Sequence, residues 1–148
     1  IIFGIYLHNS ESQTLNNIAA RTSSIPAIIS SHNPLMTKVM DVYCKSAPIL
    51  ALLLFGLSIK KRKIVKTTNR GTLIRSCLLS PFVYLFFIYM FLFRNFELTT
   101  AGRPIRLMSE NDISLLLFYI GLYTSVFFLT YFILFIPFIA YKLYRERR

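Results

Sequence analysis

KKRKIVKTTNRGTLIR, residues 60–75, sets seven cationic side chains and no acidic one between two long apolar runs, and its reading decides the fold. The seven are Lys60, Lys61, Arg62, Lys63, Lys66, Arg70 and Arg75. On one side lies VYCKSAPILALLLFGLSI, residues 42–59, and on the other SCLLSPFVYLFFIYMFLF, residues 76–93. As helix each run is about 27 Å long, close to a bilayer hydrocarbon core of roughly 30 Å. A short connector makes them an antiparallel hairpin, and by the positive-inside rule its charged closed end faces the cytoplasm.

Composition agrees. The chain has 148 residues, 55% of them hydrophobic, with 14 Phe, 9 Tyr and six acidic residues. A soluble domain of this length has no interior large enough for that apolar surface, so the sequence predicts a membrane protein of one domain. The net charge of +11 does not point to nucleic acid, because it is not spread as one basic surface. Residues 60–75 carry +7, the tail 142–148 carries +3 through Lys142, Arg145, Arg147 and Arg148 against Glu146, and Lys45 supplies the last unit. These clusters read as topology determinants that contact anionic headgroups at the cytoplasmic face.

Outward from the hairpin, residues 1–7 read as the outer end of a first span whose beginning is missing from this chain. Residues 8–41 are polar and belong on the periplasmic side. Ser10 and Gln13 have capping-box spacing before Leu15, Ile18 and Ala19, which predicts a short surface helix. Asn33 with Pro34 marks a sharper helix start. In that helix Leu35, Met36, Val39, Met40 and Tyr43 form an apolar stripe, with Thr37, Lys38 and Asp41 opposite. Lys45 is expected to snorkel to the outer headgroups, and Pro48 to loosen the helix. Ser80 and Pro81 are expected to bend the third span, and Gly71 to serve the cytoplasmic turn.

Residues 94–112 form a second periplasmic loop, three cations balanced by three anions, in which Ser109, Asn111 or Asp112 can cap the next helix. Residues 113–141 are 29 uncharged residues, longer than a bilayer needs, the surplus to be absorbed by tilt or by extension near Pro137. The tail 142–148 returns to the cytoplasm. Cys44 and Cys77 fall at opposite membrane faces and are not expected to pair. Ala47 with Ala51, Ser76 with Ser80 and Gly121 with Ser125 have the small-xxx-small spacing that lets helices approach closely.

Chemistry for turnover is missing from the sequence. His8 and His32 stand in the outer loop, no cluster has metal-ligand spacing, and no phosphate loop or nucleophile motif occurs. No acidic residue falls within a predicted span, which removes the usual parts of ion-coupled transport. The expectation is a binding protein that is not an enzyme, with no cofactor, no metal, no small-molecule substrate and no nucleic-acid partner.

Four segments, SSHNPLMTKVMDVYCKSAP, RSCLLSP, FRNFELTTAGRPIRLM and LLLFYIGLY, closely resemble the immunity proteins of colicin A-type pore-forming toxins. The resemblance covers nearly all of the chain beyond Ser23. It implies an all-α membrane protein of the bacterial inner membrane, a four-helix transmembrane bundle with its first helix truncated here and both termini cytoplasmic. It implies as partner the pore-forming domain of a cognate colicin, held in the membrane so that its channel stays shut. Which colicin, A, U or Y, is left open. Toxin contacts are expected at Arg94, Glu97, Arg103 and Arg106 in the loop and at Ser80, Tyr119, Gly121 and Ser125 in the membrane. A small accessory subunit of a transporter or channel would share the spans and charge bias, and only the resemblance separates it from the immunity reading.

Overall fold

The computed structural model describes residues 2–9, 12–59 and 70–145. Seven helices carry most of it: α1 (Ile2–His8), α2 (Gln13–Arg21), α3 (Pro34–Cys44), α4 (Ala47–Ser58), α5 (Arg70–Phe93), α6 (Arg103–Ser109) and α7 (Asp112–Arg145). Two short strands, β1 (Ile28–Ile29) and β2 (Phe96–Glu97), pair in parallel, Ile28 opposite Phe96 and Ile29 opposite Glu97. Among the described residues three stretches are long and apolar enough to cross a membrane: Pro34–Ser58, Ile74–Phe93 and Asp112–Lys142. The chain is a mostly helical membrane protein.

Helix boundaries follow local chemistry. Pro34 opens α3 after Asn33, where its missing N–H is no loss, and the Thr37 hydroxyl donates back to the Asn33 carbonyl at 2.7 Å. The helix is interrupted within the candidate span Pro34–Ser58. It stops at Cys44, two residues turn at Lys45 and Ser46, and α4 begins with Pro48 in its first turn. Pro48 has no N–H for the carbonyl four residues back, and its ring crowds that carbonyl, so the ladder breaks there. Ser46 bridges the gap by donating to the Tyr43 carbonyl at 2.7 Å. At α7 the open choice of cap resolves to Asn111, whose Oδ1 accepts from the Ile113 and Ser114 amides. Gly71 lies inside α5 rather than in a turn, and Pro81 is carried within the same helix.

Helix α7 is the central post. It packs on α4 and α5, and on α3 and α6 near Asp112. The α4 seam is close because Ala47 and Ala51 are both fully buried, the use expected of small residues at membrane helix contacts. Phe55 adds edge-on contacts to Tyr131 and Phe138, and Tyr43 stacks on Tyr123 at 5.5 Å.

The buried core, built on Met36, Met40, Cys44, Ala47, Phe91, Leu98, Leu115, Tyr119 and Val126, sits toward the Asp112 end. With 34 residues, α7 is about 51 Å long, well beyond a hydrocarbon core of roughly 30 Å. At the Asp112 end it is wrapped by α3, α6 and the loops, here called the cap. Pro137 is simply accommodated within the helix.

Candidate functional site

The cap is organised around an irregular strap, residues 25–31, laid across α3 and α7. Four consecutive carbonyls along it are taken by donors distant in sequence. The Lys38 ammonium donates to Ile25 and the Lys45 ammonium to Pro26. The Phe96 amide donates to Ala27 at 3.2 Å, and the Tyr119 hydroxyl to Ile28 at 2.7 Å. Strap amides are matched as well: Ala27 donates to Asn95 Oδ1, Ser30 to Thr37 Oγ1 and Ser31 to Glu97 Oε1. A buried non-helical backbone is stable only when its polar groups are satisfied in this way.

That demand explains what the helical wheel of α3 does not. Thr37 and Asp41, on the side opposite the apolar stripe, are both fully buried, whereas Tyr43 of the stripe is exposed. The polar side of α3 meets the strap instead of water. Lys45 does not snorkel outward: its ammonium lies 3.0 Å from Asp41 Oδ2, with the Lys45 side chain 10% exposed and that of Asp41 0%. The same nitrogen sits 5.8 Å from the centre of the Phe91 ring, within cation–π range.

Glu97 is the second knot. Its Oε1 accepts from the Ser31 amide at 2.8 Å, the Ser31 hydroxyl at 3.0 Å and the Thr99 hydroxyl at 2.8 Å. Burial alone would raise the Glu97 pKa, but the bonds from Thr99 and Ser31 outweigh it and hold the carboxyl below its usual range. A third knot joins α1, α3 and α7: Tyr6 donates to Asn33 Oδ1 at 2.7 Å, and the Asn33 amide donates to Asp112.

The predicted contact residues fall into two groups. Arg94, Arg103 and Arg106 are exposed around the cap, Arg94 just after α5 with a guanidinium nitrogen 4.0 Å from Met90 Sδ. Helix α6 presents Arg103 and Arg106 outward while Ile105 packs on the core and Ser109 is buried. Gly121 and Ser125 are exposed on one face of α7, and a Cβ at Gly121 would meet open space. By contrast half-buried Glu97 is engaged by Ser31 and Thr99, and Tyr119 is only 1% exposed. Ser80 is half-buried, its hydroxyl oxygen enclosed without a hydrogen-bond partner among the described residues. Of the topology residues, Arg75 is exposed, Arg70 opens α5, and Lys142 and Arg145 close α7. Lys60, Lys61, Arg62, Lys63, Lys66, Arg147 and Arg148 lie outside the described residues.

Helices α5 and α7 also frame a cleft, which shares Phe91 with the buried core. It is open and apolar, about 660 Å³, walled by Phe87, Ile88 and Phe91 on one side and by Leu122, Ser125, Phe128 and Phe132 on the other. Ser125 is the one hydroxyl in its wall. Among the described residues no group of three or more His, Cys, Asp or Glu could hold a metal ion.

Comparison with known proteins gives one answer. Residues 11–148 match the family described as colicin immunity protein. The chain is 57% identical to the colicin-A immunity protein of Citrobacter freundii over 99% of its own length and 83% of that relative's. It is 37% identical to the colicin-B immunity protein of Escherichia coli, over 96% of this chain and 81% of that one. No solved structure matches.

Proposed function

Because the chain belongs to the colicin immunity protein family, its function is immunity to a colicin, and we propose that it acts by binding the pore-forming domain of its cognate toxin in the bacterial inner membrane and blocking channel opening. In this reading α1 ends a fourth spanning helix of the bundle, and both termini face the cytoplasm. The cationic clusters at residues 60–75 and 142–148 then hold that face against anionic headgroups.

The observation that carries the mechanism is the open cleft between α5 and α7. Lipid tails are as apolar as a toxin helix, so selective contact in the membrane must rest on shape, small residues and hydrogen bonds. The cleft offers shape through its Phe walls and a hydroxyl at Ser125, and the open face at Gly121 lies one turn away on the same helix. Arg94, Arg103 and Arg106 act as the outer contacts, while Glu97 and Tyr119 act through the surface they support. Ser80 serves the same bundle from within α5.

The test is protection. The complete protein is expressed in a sensitive bacterium and challenged with several pore-forming colicins. Survival selective for one toxin supports the mechanism, and equal killing by all contradicts it. The double reversal R103E/R106E, at unchanged membrane abundance, is expected to lower protection about tenfold or more, as lost complementarity at charged contacts does. Undiminished protection removes α6 from the contact surface.

A further inference from the structure

We infer that Lys45 is a positioning residue for recognition, fastening the strap to the α3–α4 break and so setting the register of β1 against β2 that presents the arginine-bearing loop. The inference rests on the reading of the cap's outer surface as a toxin contact.

At the break Lys45 and Ser46 keep α-region dihedrals, so Lys45 still stands one turn beyond Asp41, while Pro48 leaves the hydrogen-bond ladder open there. One ammonium there does three things at once. It pairs with the wholly buried Asp41, it donates to the Pro26 carbonyl, and it lies over the Phe91 ring of α5. Lys45 therefore connects α3, the strap and α5 through a single group. Pro26 is two residues before Ile28, and the strap then enters the parallel pair in which Ile28 faces Phe96 and Ile29 faces Glu97.

Beyond that pair the chain passes through Glu97 and a 3-10 turn, Leu98–Thr100, into α6. The route from Lys45 to Arg103 and Arg106 is thus short and bonded throughout. A strap that slips at Pro26 loses the Ile28–Phe96 register, and α6 loses one of its two fixed ends. Lysine suits this place because its four-carbon stem crosses apolar packing while a compact charge makes several bonds at its tip.

The experiment reads strap position and protection separately in the complete protein. Ile28→Cys with Phe96→Cys places two thiols opposite each other in the register, and oxidative cross-linking in membranes reports whether that register holds. In this background K45M is expected to lower the cross-link yield about tenfold, since it leaves Asp41 buried and unpaired. K45R, which keeps the charge, is expected to stay within about threefold of the parent. Without the added cysteines, K45M is expected to lose protection at normal membrane abundance and K45R to retain it.

Should K45M fail to accumulate, the double variant D41N/K45M leaves no unpaired buried charge and still removes the Pro26 donor, so the same fall in cross-linking is expected. An undiminished cross-link in K45M, or in the double variant, overturns the inference whatever the protection. A lost cross-link with full protection also overturns it, because strap position would then be irrelevant to recognition. Failure of the immunity mechanism itself has a different signature: the unmodified chain would protect against no pore-forming colicin.

Discussion

Around Asp112 the molecule closes on itself, whereas toward Lys142 the same helices leave most of their apolar surface uncovered. The cap joins α3, the strap, β2 and α7 through bonds spanning 66 to 91 residues of sequence, and its core residues Met36, Leu98, Leu115 and Tyr119 are almost fully buried. In the other half Phe82 is 71% and Leu57 75% exposed. The two halves differ in what holds them together. Where water competes, the chain needs both hydrophobic burial and satisfied polar groups to hold a shape. In lipid, burial gives no comparable drive, and helices meet only where small residues such as Ala47 and Ala51 let them. The uncovered half is left available to another helix.

The sharpest way to break this contrast is to empty the cap core. Met36→Ala should destabilise by about 2–5 kcal/mol, seen as a lower Tm of the purified protein in detergent. A loss of less than about 1 kcal/mol, half the smallest expected effect, would mean that the cap core is not closely packed. Tyr119→Phe should follow, at about 1–3 kcal/mol, because it leaves the Ile28 carbonyl unpaired inside the cap. Its protection against toxin should fall only in step with stability.

Glu97→Gln sharpens the account of the second knot, with an expected effect of about 1 kcal/mol. The sign with pH is definite. A carboxyl held below its usual range stabilises the fold above its unfolded pKa and loses that contribution as pH falls through the lower folded value. Thermal stability of the parent should therefore drop on acidification below about pH 4.5, the ordinary carboxyl range, and the drop should be smaller in E97Q. Phe82→Leu completes the series. On the uncovered face of α5 it should change stability by no more than about 0.5 kcal/mol.

Much of this was legible in the sequence, for physical reasons that differ along the chain. Membrane-crossing stretches announce themselves by length and apolarity alone, and the start of α3 follows from Pro34, although the Asn33 side chain bonds Tyr6 and Asp112 instead of capping; Asn111 was one of three open choices at α7. The strap was not legible, because its fastening uses backbone carbonyls of residues 25–28, which have no side-chain signature, and partners far along the chain. Thr37 and Asp41 looked solvent-facing because a helical wheel does not distinguish water from a buried strand of backbone. One signal did exist: Asp41 and Lys45 are spaced i,i+4, the spacing of a helical ion pair. Tyr119 and Ser125 shared one apolar run, and only packing separates the inward hydroxyl from the outward one.

Photo-crosslinking with the cognate pore-forming domain tests the contrast between the two halves directly. A photoreactive residue replacing Phe128 in the cleft should capture the toxin domain in membranes, and one replacing the buried Leu15 of α2 should not. Capture from Leu15 with none from Phe128 would contradict the account, because the closed half would then be the one that opens to receive the partner.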